Sequence, residues 1–202
     1  MSVTDGPLLW AAEHFLYDIY IDSGFCRPTP RRVVEELEPW RSRSTFHLVI
    51  DEQDGVIGSV RTITGGWSDL PAGDFVRHDW THPDPLCELS SLAILPSNRS
   101  TGIVEHIYRA GWIAAWRSGA HALVGLVDPW LLELFTDHYQ LPFTPIGAAK
   151  FHMGGTVIPV AMPLVGAAYE PLAAGRVGFW TWTLEAATPE EIQTWNLPAP
   201  AR

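Results

Sequence analysis

The sequence predicts an α+β protein with one domain over residues 1–202, built on a mixed, mostly antiparallel β-sheet flanked by helices. Length is the first observation, because 202 residues suit one sizeable core and are too few for two ordinary domains. Composition is the second, since 47% hydrophobic and 18% charged residues are typical of a packed globular chain. The third is the order of the periodic segments, in which helical and strand patterns follow one another with one strand–helix–strand crossover.

The first half of the chain contains the segments of a hairpin framed by helices. The predicted elements are a helix at residues 8–20, a helix at residues 30–39, strands at residues 46–50, 56–63 and 86–95, and a loop at residues 65–84. Thr29 and Pro30 are typical of an N-cap followed by a first helical residue, and Pro39 would end that helix. The loop is rich in Gly and Pro and exceeds an ordinary connection, which favours a lid or a binding loop.

The second half alternates helices and strands. The predicted elements are a helix at residues 102–118, a strand at residues 122–127, a helix at residues 130–138, strands at residues 156–162 and 177–184, and a last short helix. Asp128 and Pro129 are typical of a helix start. Thr188 and Glu191 have the spacing of a capping box, which opens the last helix.

Composition disfavours several classes of function. A net charge of −10 opposes a dedicated nucleic-acid binder, which needs a basic face for the phosphates. The longest apolar stretch, residues 156–169, is broken by two prolines and is shorter than the roughly 20 residues of a membrane span. The first residues show no basic region followed by an apolar core, so we expect a cytoplasmic protein with no membrane span. The two cysteines and eight histidines lack the spacing of a metal site, so we expect no bound metal.

The strand that stops at Pro96 leads through a short polar loop into a long helix. The first N–H groups of a helix have no partner within it and lie at the positive end of its dipole, and small loop residues let them approach an anion. The candidate anion ligands are Arg99, Ser100, Thr101, Gly102 and Ile103. This segment predicts a phosphate or pyrophosphate cradle; a junction of the same kind that binds nothing is the alternative.

The element order and this loop resemble the GNAT acyltransferase superfamily. Its pantetheine-binding motif begins with Arg or Gln, places a Gly three residues later and ends on a small residue; Arg99 and Gly102 match, while Val104 stands at the small position. The resemblance implies that Tyr139 protonates the departing thiolate, an ordinary helix-end tyrosine being the alternative. It also implies that the thioester oxygen is held by the backbone amides of Leu92, Ala93 and Ile94.

A narrower resemblance, over residues 46–164, is to acyl-homoserine-lactone synthases and N-acyl amino acid synthases. Arg61, Phe75 and Glu88 match signature positions of the lactone synthases. Ser91 stands where those enzymes carry an arginine, and Arg41-Ser-Arg43-Ser replaces their paired aspartates. The resemblance implies an acyl donor, either the phosphopantetheine thioester of an acyl-carrier protein or acyl-CoA, and no permanently bound cofactor. It favours a small amine, an amino acid in particular, as the acceptor.

The residues themselves agree with aminolysis of a thioester, which needs a base. On its predicted strand Glu88 shares a face with Ser90 and Leu92, and a desolvated carboxylate can take a proton from an amine. A surface position beside an edge strand is the alternative for Glu88. Arg61 could hold a substrate carboxylate bidentately or form a salt bridge to a structural acid. Ser90 is a candidate substrate contact on the same face as Glu88.

Two further sets of residues are candidates for binding. Trp67 and Phe75, in the long loop, could line an acyl tunnel. Twelve of the thirteen basic residues are arginines, and five of these form a dense segment that we term the Arg segment: Arg27, Arg31, Arg32, Arg41 and Arg43. Acyl-carrier proteins are acidic, so this segment could dock one; a solvated face without a partner is the alternative.

Two functions of different classes follow from these features. The first is an N-acyltransferase that moves an acyl group from a pantetheine thioester to a small amine. The second is a non-catalytic GNAT-like module that binds an acyl or pantetheine ligand as a sensor or assembly partner. The substitutions at Ser91 and Val104 motivate the second.

Overall fold

The computed structural model describes residues 1–53, 55–75, 80–81, 84–99, 101–139, 141–164 and 177–197. It confirms the predicted α+β class, with a mixed, mostly antiparallel sheet and flanking helices. Spatial proximity groups the chain into two compact units. The first unit is Met1–Ile63, Leu89–Gly111 and Phe151–Gly155, and the second is Thr64–Glu88, Trp112–Lys150 and Thr156–Arg202.

The strands and helices are numbered in chain order. The strands are β1 (Ser2–Val3), β2 (Ser44–Ile50), β3 (Val56–Gly65), β4 (Leu86–Ile94), β5 (Ala122–Val127), β6 (Thr144–Pro145), β7 (Lys150–His152) and β8 (Gly155–Pro163). The α-helices are α1 (Gly6–Asp22), α2 (Ile103–Arg117), α3 (Pro129–Glu133), α4 (Val177–Leu184) and α5 (Pro189–Thr194). A nine-residue 3₁₀ segment occupies Glu35–Arg43, shorter 3₁₀ turns occupy Trp67–Asp69, Pro71–Asp74 and Pro96–Asn98, and a π-helical turn occupies Leu134–His138.

In the first unit the strand order is β1-β2-β3-β4, and β2 and β3 form the predicted antiparallel hairpin. Its turn is closed by Asp51, whose carboxylate accepts the N–H groups of Gln53 and Gly55 at 2.9 and 2.8 Å. Two apolar clusters pack in this unit. The α1 cluster comprises Val3, Ala12, Leu16, Tyr17, Val34, Leu37, Phe46, Leu48 and Ala93. The α2 cluster comprises Val60, Ile94, Ile103 and Ile107.

In the second unit the strand order is β4-β5-β8-β6. Strand β4 pairs in parallel with β5, with Leu86 opposite Ala122 and Glu88 opposite Val124, so the predicted crossover through α2 is confirmed. Strand β5 pairs antiparallel with β8 along its whole length. A cluster of tryptophans forms the core here, with the rings of Trp112 and Trp180 5.2 Å apart and edge-to-face.

The helix predicted at residues 30–39 is wrong. One turn forms, in which the N–H of Arg32 donates to Thr29 O at 3.1 Å, and it ends there because Arg32 has φ +50°. The Thr29 hydroxyl then donates to Val33 O at 3.1 Å, a local side-chain bond that competes with helical hydrogen bonding. The chain continues as the 3₁₀ segment Glu35–Arg43, which buries Leu37.

The strand predicted at residues 177–184 is also wrong, because this segment is the helix α4. Its β-branched and aromatic residues favour a strand by local propensity, but Trp180, Thr183 and Leu184 are all buried at a spacing of three and four residues, which is a helical face. Packing of Trp180 against Trp112 therefore overrides the local preference. The capping box of Thr188 and Glu191 is present as predicted.

Candidate functional site

The predicted pantetheine cradle lies in the first unit, between the end of β4 and the start of α2. Asn98 O accepts both the N–H of Thr101 at 3.2 Å and its hydroxyl at 2.7 Å, which closes the loop. Gly102 has φ +78°, a conformation that favours glycine, and this is why the motif places a glycine directly before the helix. Arg99, Thr101 and Gly102 are exposed, whereas Ile103 is buried in the α2 cluster. Ser100 lies outside the described residues.

The motif position that departs from the GNAT pattern has a packing role. Val104 is half-buried and packs against the α2 cluster. Packing against this cluster therefore explains why a valine stands at this position.

Strand β4 switches faces in its middle. Leu89 and Leu92 both pack against the α2 cluster although they are three residues apart, and Ser91 between them has φ +54°. Side chains alternate in a regular strand, so this arrangement is that of a bulge with one extra residue. The sequence-based expectation that Ser90 and Leu92 share a face is therefore wrong. Beyond the bulge the alternation resumes, with Ala93 in the α1 cluster and Ile94 in the α2 cluster.

The bulge brings two hydroxyl groups and a guanidinium together. Ser90 Oγ lies 3.3 Å from Ser91 Oγ, and it accepts a hydrogen bond from Nη2 of Arg61 at 3.1 Å. Arg61, on β3, is only 2% exposed, and its Nη1 donates to Leu37 O at 3.4 Å. Of the predicted site residues, Arg61 and Ser90 are thus in direct contact.

A small polar cavity adjoins Arg61 within the first unit. Its volume is about 20 Å³, enough for about one water molecule. Its polar lining residues are Glu13, Glu38, Arg41, Ser44 and Arg61, and its apolar ones include Leu16, Leu37 and Phe46. Glu13 and Arg41 form a two-point ion pair at 2.5 and 2.9 Å, which raises the pKa of the Arg41 guanidinium. The cavity therefore has carboxylates and guanidinium groups in equal number.

Sequence reasoning missed the contribution of Glu13 to this cavity. A signal was available, because Glu13 lies three and four residues before Leu16 and Tyr17 on the buried face of α1. A carboxylate on an apolar helix face needs a hydrogen-bonding or charged partner, and here that partner is Arg41. Because Arg41 lies 28 positions further along the chain, the sequence around Glu13 does not identify it as the partner.

The second unit holds Glu88, which is 1% exposed. One of its carboxylate oxygens accepts the backbone N–H of Ala72 at 2.8 Å, from the 3₁₀ turn Pro71–Asp74. This turn is tight at Gly73, where a Cβ atom would collide with the carbonyl oxygen of Trp67. The long loop thus contributes an amide to the candidate base, a contact that no motif in the sequence indicates.

The remaining candidates of the second unit lie on the loop and at a helix end. Tyr139 is 7% exposed and follows the π-helical turn, closed by its N–H to Leu134 O at 3.1 Å. Such turns occur often at functional sites. Phe75 is buried beneath the Lys150 ammonium group at 5.0 Å, and half-buried Trp67 packs with Trp80. The structure leaves the roles of Trp67, Phe75 and Tyr139 as predictions.

Three arginines of the Arg segment form ion pairs in the first unit. Arg31 contacts Glu38 at 3.1 Å, Arg32 contacts Asp18 at 2.7 Å, and Arg41 contacts Glu13. The whole segment is exposed, Arg27 and Arg43 included. These carboxylates offset part of its positive field.

Over the described part of the chain, no group of three or more His, Cys, Asp or Glu residues could hold a metal ion. No helix within those residues is long and apolar enough to cross a membrane.

No protein-family model and no curated protein matches the sequence, but solved structures match the fold. The synthase LasI, described as an AHL synthase, is similar with a TM-score of 0.66 and 13% identity, over 85% of this chain and 90% of LasI. BjaI, a CoA-dependent acyl-homoserine lactone synthase solved with SAM and isopentyl-CoA, gives a TM-score of 0.64 and 13% identity, over 96% of this chain and 85% of BjaI. FeeM, an N-acyl amino acid synthase from uncultured soil microbes, gives 0.57 and 15%, over 81% of this chain and 94% of FeeM. The chain therefore has the GNAT-like fold of these synthases at low sequence identity.

Proposed function

We propose that this protein is an N-acyltransferase that moves an acyl group from a pantetheine thioester to the amine of a small molecule, an amino acid in particular. The observation that carries the proposal is the carboxylate of Glu88, which is buried on the strand that leads into the cradle and accepts the backbone N–H of Ala72. A carboxylate removed from water in this way can take a proton from an amine. The fold shared with LasI, BjaI and FeeM supports the same reaction class.

The donor would bind along the end of β4 and the loop before α2. Arg99, Thr101 and Gly102 are exposed at the start of a 15-residue helix, where the positive end of the helix dipole favours an anion such as a pyrophosphate or a phosphopantetheine phosphate. The backbone amides of the segment after the bulge, Leu92 to Ile94, would hold the thioester oxygen. BjaI was solved with isopentyl-CoA, which supports a pantetheine thioester as donor.

The cavity beside Arg61 is the place that we propose for the acceptor. Its two carboxylates and two guanidinium groups match an amino acid, which carries one charge of each sign. The present volume holds about one water molecule, so the lining must rearrange to admit an amino acid, and we propose that Arg41 moves off Glu13. Arg41 is suited to this because its side chain is 40% exposed, whereas that of Glu13 is 10% exposed. Its guanidinium could then bind the acceptor carboxylate bidentately.

The reaction would proceed by addition and elimination. Glu88 takes a proton from the acceptor ammonium, and the amine nitrogen attacks the thioester carbonyl, whose π electrons move to oxygen. When the carbonyl re-forms, the C–S bond breaks and the thiolate leaves, with Tyr139 as the proposed donor of its proton. The nitrogen loses its second proton as the amide forms, and that proton restores the Tyr139 hydroxyl, while the proton on Glu88 passes to solvent. A general base of this kind contributes about 10²–10⁴ in rate.

The test is thiol release from octanoyl-CoA and from octanoyl-carrier protein, with a mixture of the twenty amino acids as acceptors. We expect Glu88→Gln to lower kcat by about 10²–10⁴-fold with the donor Kd unchanged, because the amide keeps the shape of the site and cannot take the proton. Tyr139→Phe should lower kcat as well. The matched control is Glu185→Gln, which changes an exposed carboxylate in the same unit and should leave kcat unchanged.

The same measurements separate the enzyme from the non-catalytic module. A module would protect the amides of residues 101–104 from hydrogen exchange when octanoyl-CoA is added, without any thiol release from the parent protein. Thiol release that is equally fast in the parent and in Glu88→Gln would refute the role of Glu88 as base.

We also propose that a carrier protein docks on the Arg segment. The ion pairs of Arg31 and Arg32 are exposed, and exposed pairs contribute little to stability, so acidic side chains of a carrier can compete with Glu38 and Asp18. Charges at such a rim act mainly on the rate of association.

A further inference from the structure

The bulge of β4 turns two consecutive hydroxyl groups to one face of the strand. In a regular strand the side chains of Ser90 and Ser91 would point to opposite faces. The positive φ of Ser91 instead brings their oxygens to 3.3 Å, on the side of β4 opposite Leu89 and Leu92. A residue with a Cβ atom is strained in this backbone region, and strain of this kind is found preferentially at functional sites.

The buried guanidinium of Arg61 lies at one end of this pair of hydroxyl groups. A guanidinium only donates, so the bond from its Nη2 to Ser90 Oγ fixes Ser90 as an acceptor there. The hydroxyl hydrogen of Ser90 can then be donated to Ser91 Oγ, and the hydroxyl hydrogen of Ser91 remains for a further acceptor. Hydrogen bonds in such a chain polarise one another, and the positive charge at its start strengthens each donor.

We propose that Ser91 is a catalytic residue whose hydroxyl donates a hydrogen bond to the oxyanion formed from the acyl thioester. The inference rests on the proposed acyl transfer. Ser91 directly precedes Leu92, the first of the amides proposed to hold the same oxygen, so the hydroxyl adds a side-chain donor to that end of the strand.

Ser91 keeps its proton throughout the reaction. As the amine nitrogen bonds to the carbonyl carbon, the C=O π pair moves to oxygen, and this oxyanion accepts the hydrogen bond from Ser91 Oγ without taking its hydrogen. As the C=O bond re-forms, the C–S bond breaks, and the thiolate takes up a proton equivalent to the one that the amine lost. The Ser91 bond is therefore strongest in the transition state and should act on kcat.

Substitution by glycine separates this role from a structural one. Ser91→Gly removes the hydroxyl and also the Cβ atom, so the positive φ is no longer strained. If Ser91 had only a structural role, Ser91→Gly would leave kcat unchanged and would keep or raise the Tm. We expect the Tm to be equal or higher but kcat to fall by about 10²-fold with the KM for octanoyl-CoA unchanged, the cost of losing one oxyanion donor. The control is Ser59→Ala on β3, a buried serine whose hydroxyl has no hydrogen-bond partner among the described residues.

The chain of donors makes a second prediction. Ser90→Ala should lower kcat by part of the same factor, and the double variant with Ser91→Gly should be no slower than Ser91→Gly alone, because both changes interrupt one chain. If the double variant instead shows the product of the two losses in kcat, the two hydroxyl groups do not act in one chain.

Infrared spectroscopy of bound octanoyl-CoA labelled with ¹³C at the carbonyl tests the contact without turnover. We expect the carbonyl band to lie at lower frequency in the parent protein than in Ser91→Gly. The same band in both, or a parental kcat in Ser91→Gly, would overturn the role of Ser91 while leaving acyl transfer in place. If the parent neither binds nor turns over octanoyl-CoA or octanoyl-carrier protein, the proposed function and this inference both fail.

Discussion

We expect His47 to make the stability of the first unit depend on pH. It lies on β2 and is 5% exposed, with its Nδ1 2.9 Å from Ser2 Oγ and its Nε2 2.9 Å from Thr62 Oγ1. Because the Thr62 hydroxyl donates to Thr45 O, the network fits a neutral ring that donates from Nε2. Burial, and then the positive charge of the amino terminus, lower the pKa of His47 from 6.5 to about 4.

The size of the effect follows from that change in pKa. The unfolded chain binds a proton at His47 below pH 6.5 and the folded chain only below about 4, so the unfolded state carries more protons between these values. The free energy of unfolding should therefore have its full value above pH 6.5 and decrease as the pH falls to 4. At about 1.4 kcal/mol for each factor of ten in proton affinity, the loss is about 3 kcal/mol.

Urea denaturation followed by tryptophan fluorescence measures this dependence between pH 4 and 8. His47→Gln keeps an amide donor for Thr62 and cannot become charged, so the difference between parent and variant isolates His47 from the carboxylates. We expect the pH dependence of the variant to be shallower by about 3 kcal/mol over this range. His106→Gln, at an exposed position of α2, is the control and should follow the parent. Parallel curves for the parent and His47→Gln would refute the reasoning.

Two further changes test the loop and the proposed docking surface. Gly73→Ala should destabilise the protein by about 1–3 kcal/mol, measured by denaturation, because its Cβ would collide with the carbonyl of Trp67. Gly178→Ala, with open space around its Cβ, should not, and equal effects of both would contradict the packing argument. Reversal of Arg31 and Arg32 to Glu should lower kcat/KM for octanoyl-carrier protein, more so at low salt, and leave octanoyl-CoA nearly unaffected. Unchanged kinetics with the carrier would refute docking on the Arg segment.

Local rules in the sequence are enough for the frame of the fold. Helical spacing predicts α1, and apolar, β-branched runs joined by a turn signal predict the hairpin of β2 and β3. The requirement for a left-handed backbone explains why Gly102 stands before α2, and thus why a glycine marks the predicted cradle. Each of these features depends on neighbours within one turn or one strand.

Local sequence rules predict the wrong conformation in two segments of the chain. The segment of α4 has strand propensity, yet the buried spacing of Trp180, Thr183 and Leu184 shows that tertiary packing selects the helix. At Arg32 a positive φ ends the predicted helix after one turn, and no residue in that stretch signals it. The first miss therefore comes from packing outside the segment, and the second from a local turn in which the Thr29 hydroxyl donates to Val33 O.

The candidate site depends on distant contacts more than the fold does. The amide of Ala72 reaches Glu88 over 16 positions, Arg41 reaches Glu13 over 28, and Arg61 reaches Ser90 over 29. Residue types suffice to nominate a base or a guanidinium, because chemistry limits which side chains can play those parts. What each one does, however, depends on its partners. Arg61 was open to a substrate carboxylate or a structural acid by its type alone, and its observed bond to Ser90 points to a third use, the polarisation of a hydroxyl chain. That use is visible only once the bulge at Ser91 is known, and a bulge of this kind needs a positive φ at a serine, which sequence propensity disfavours.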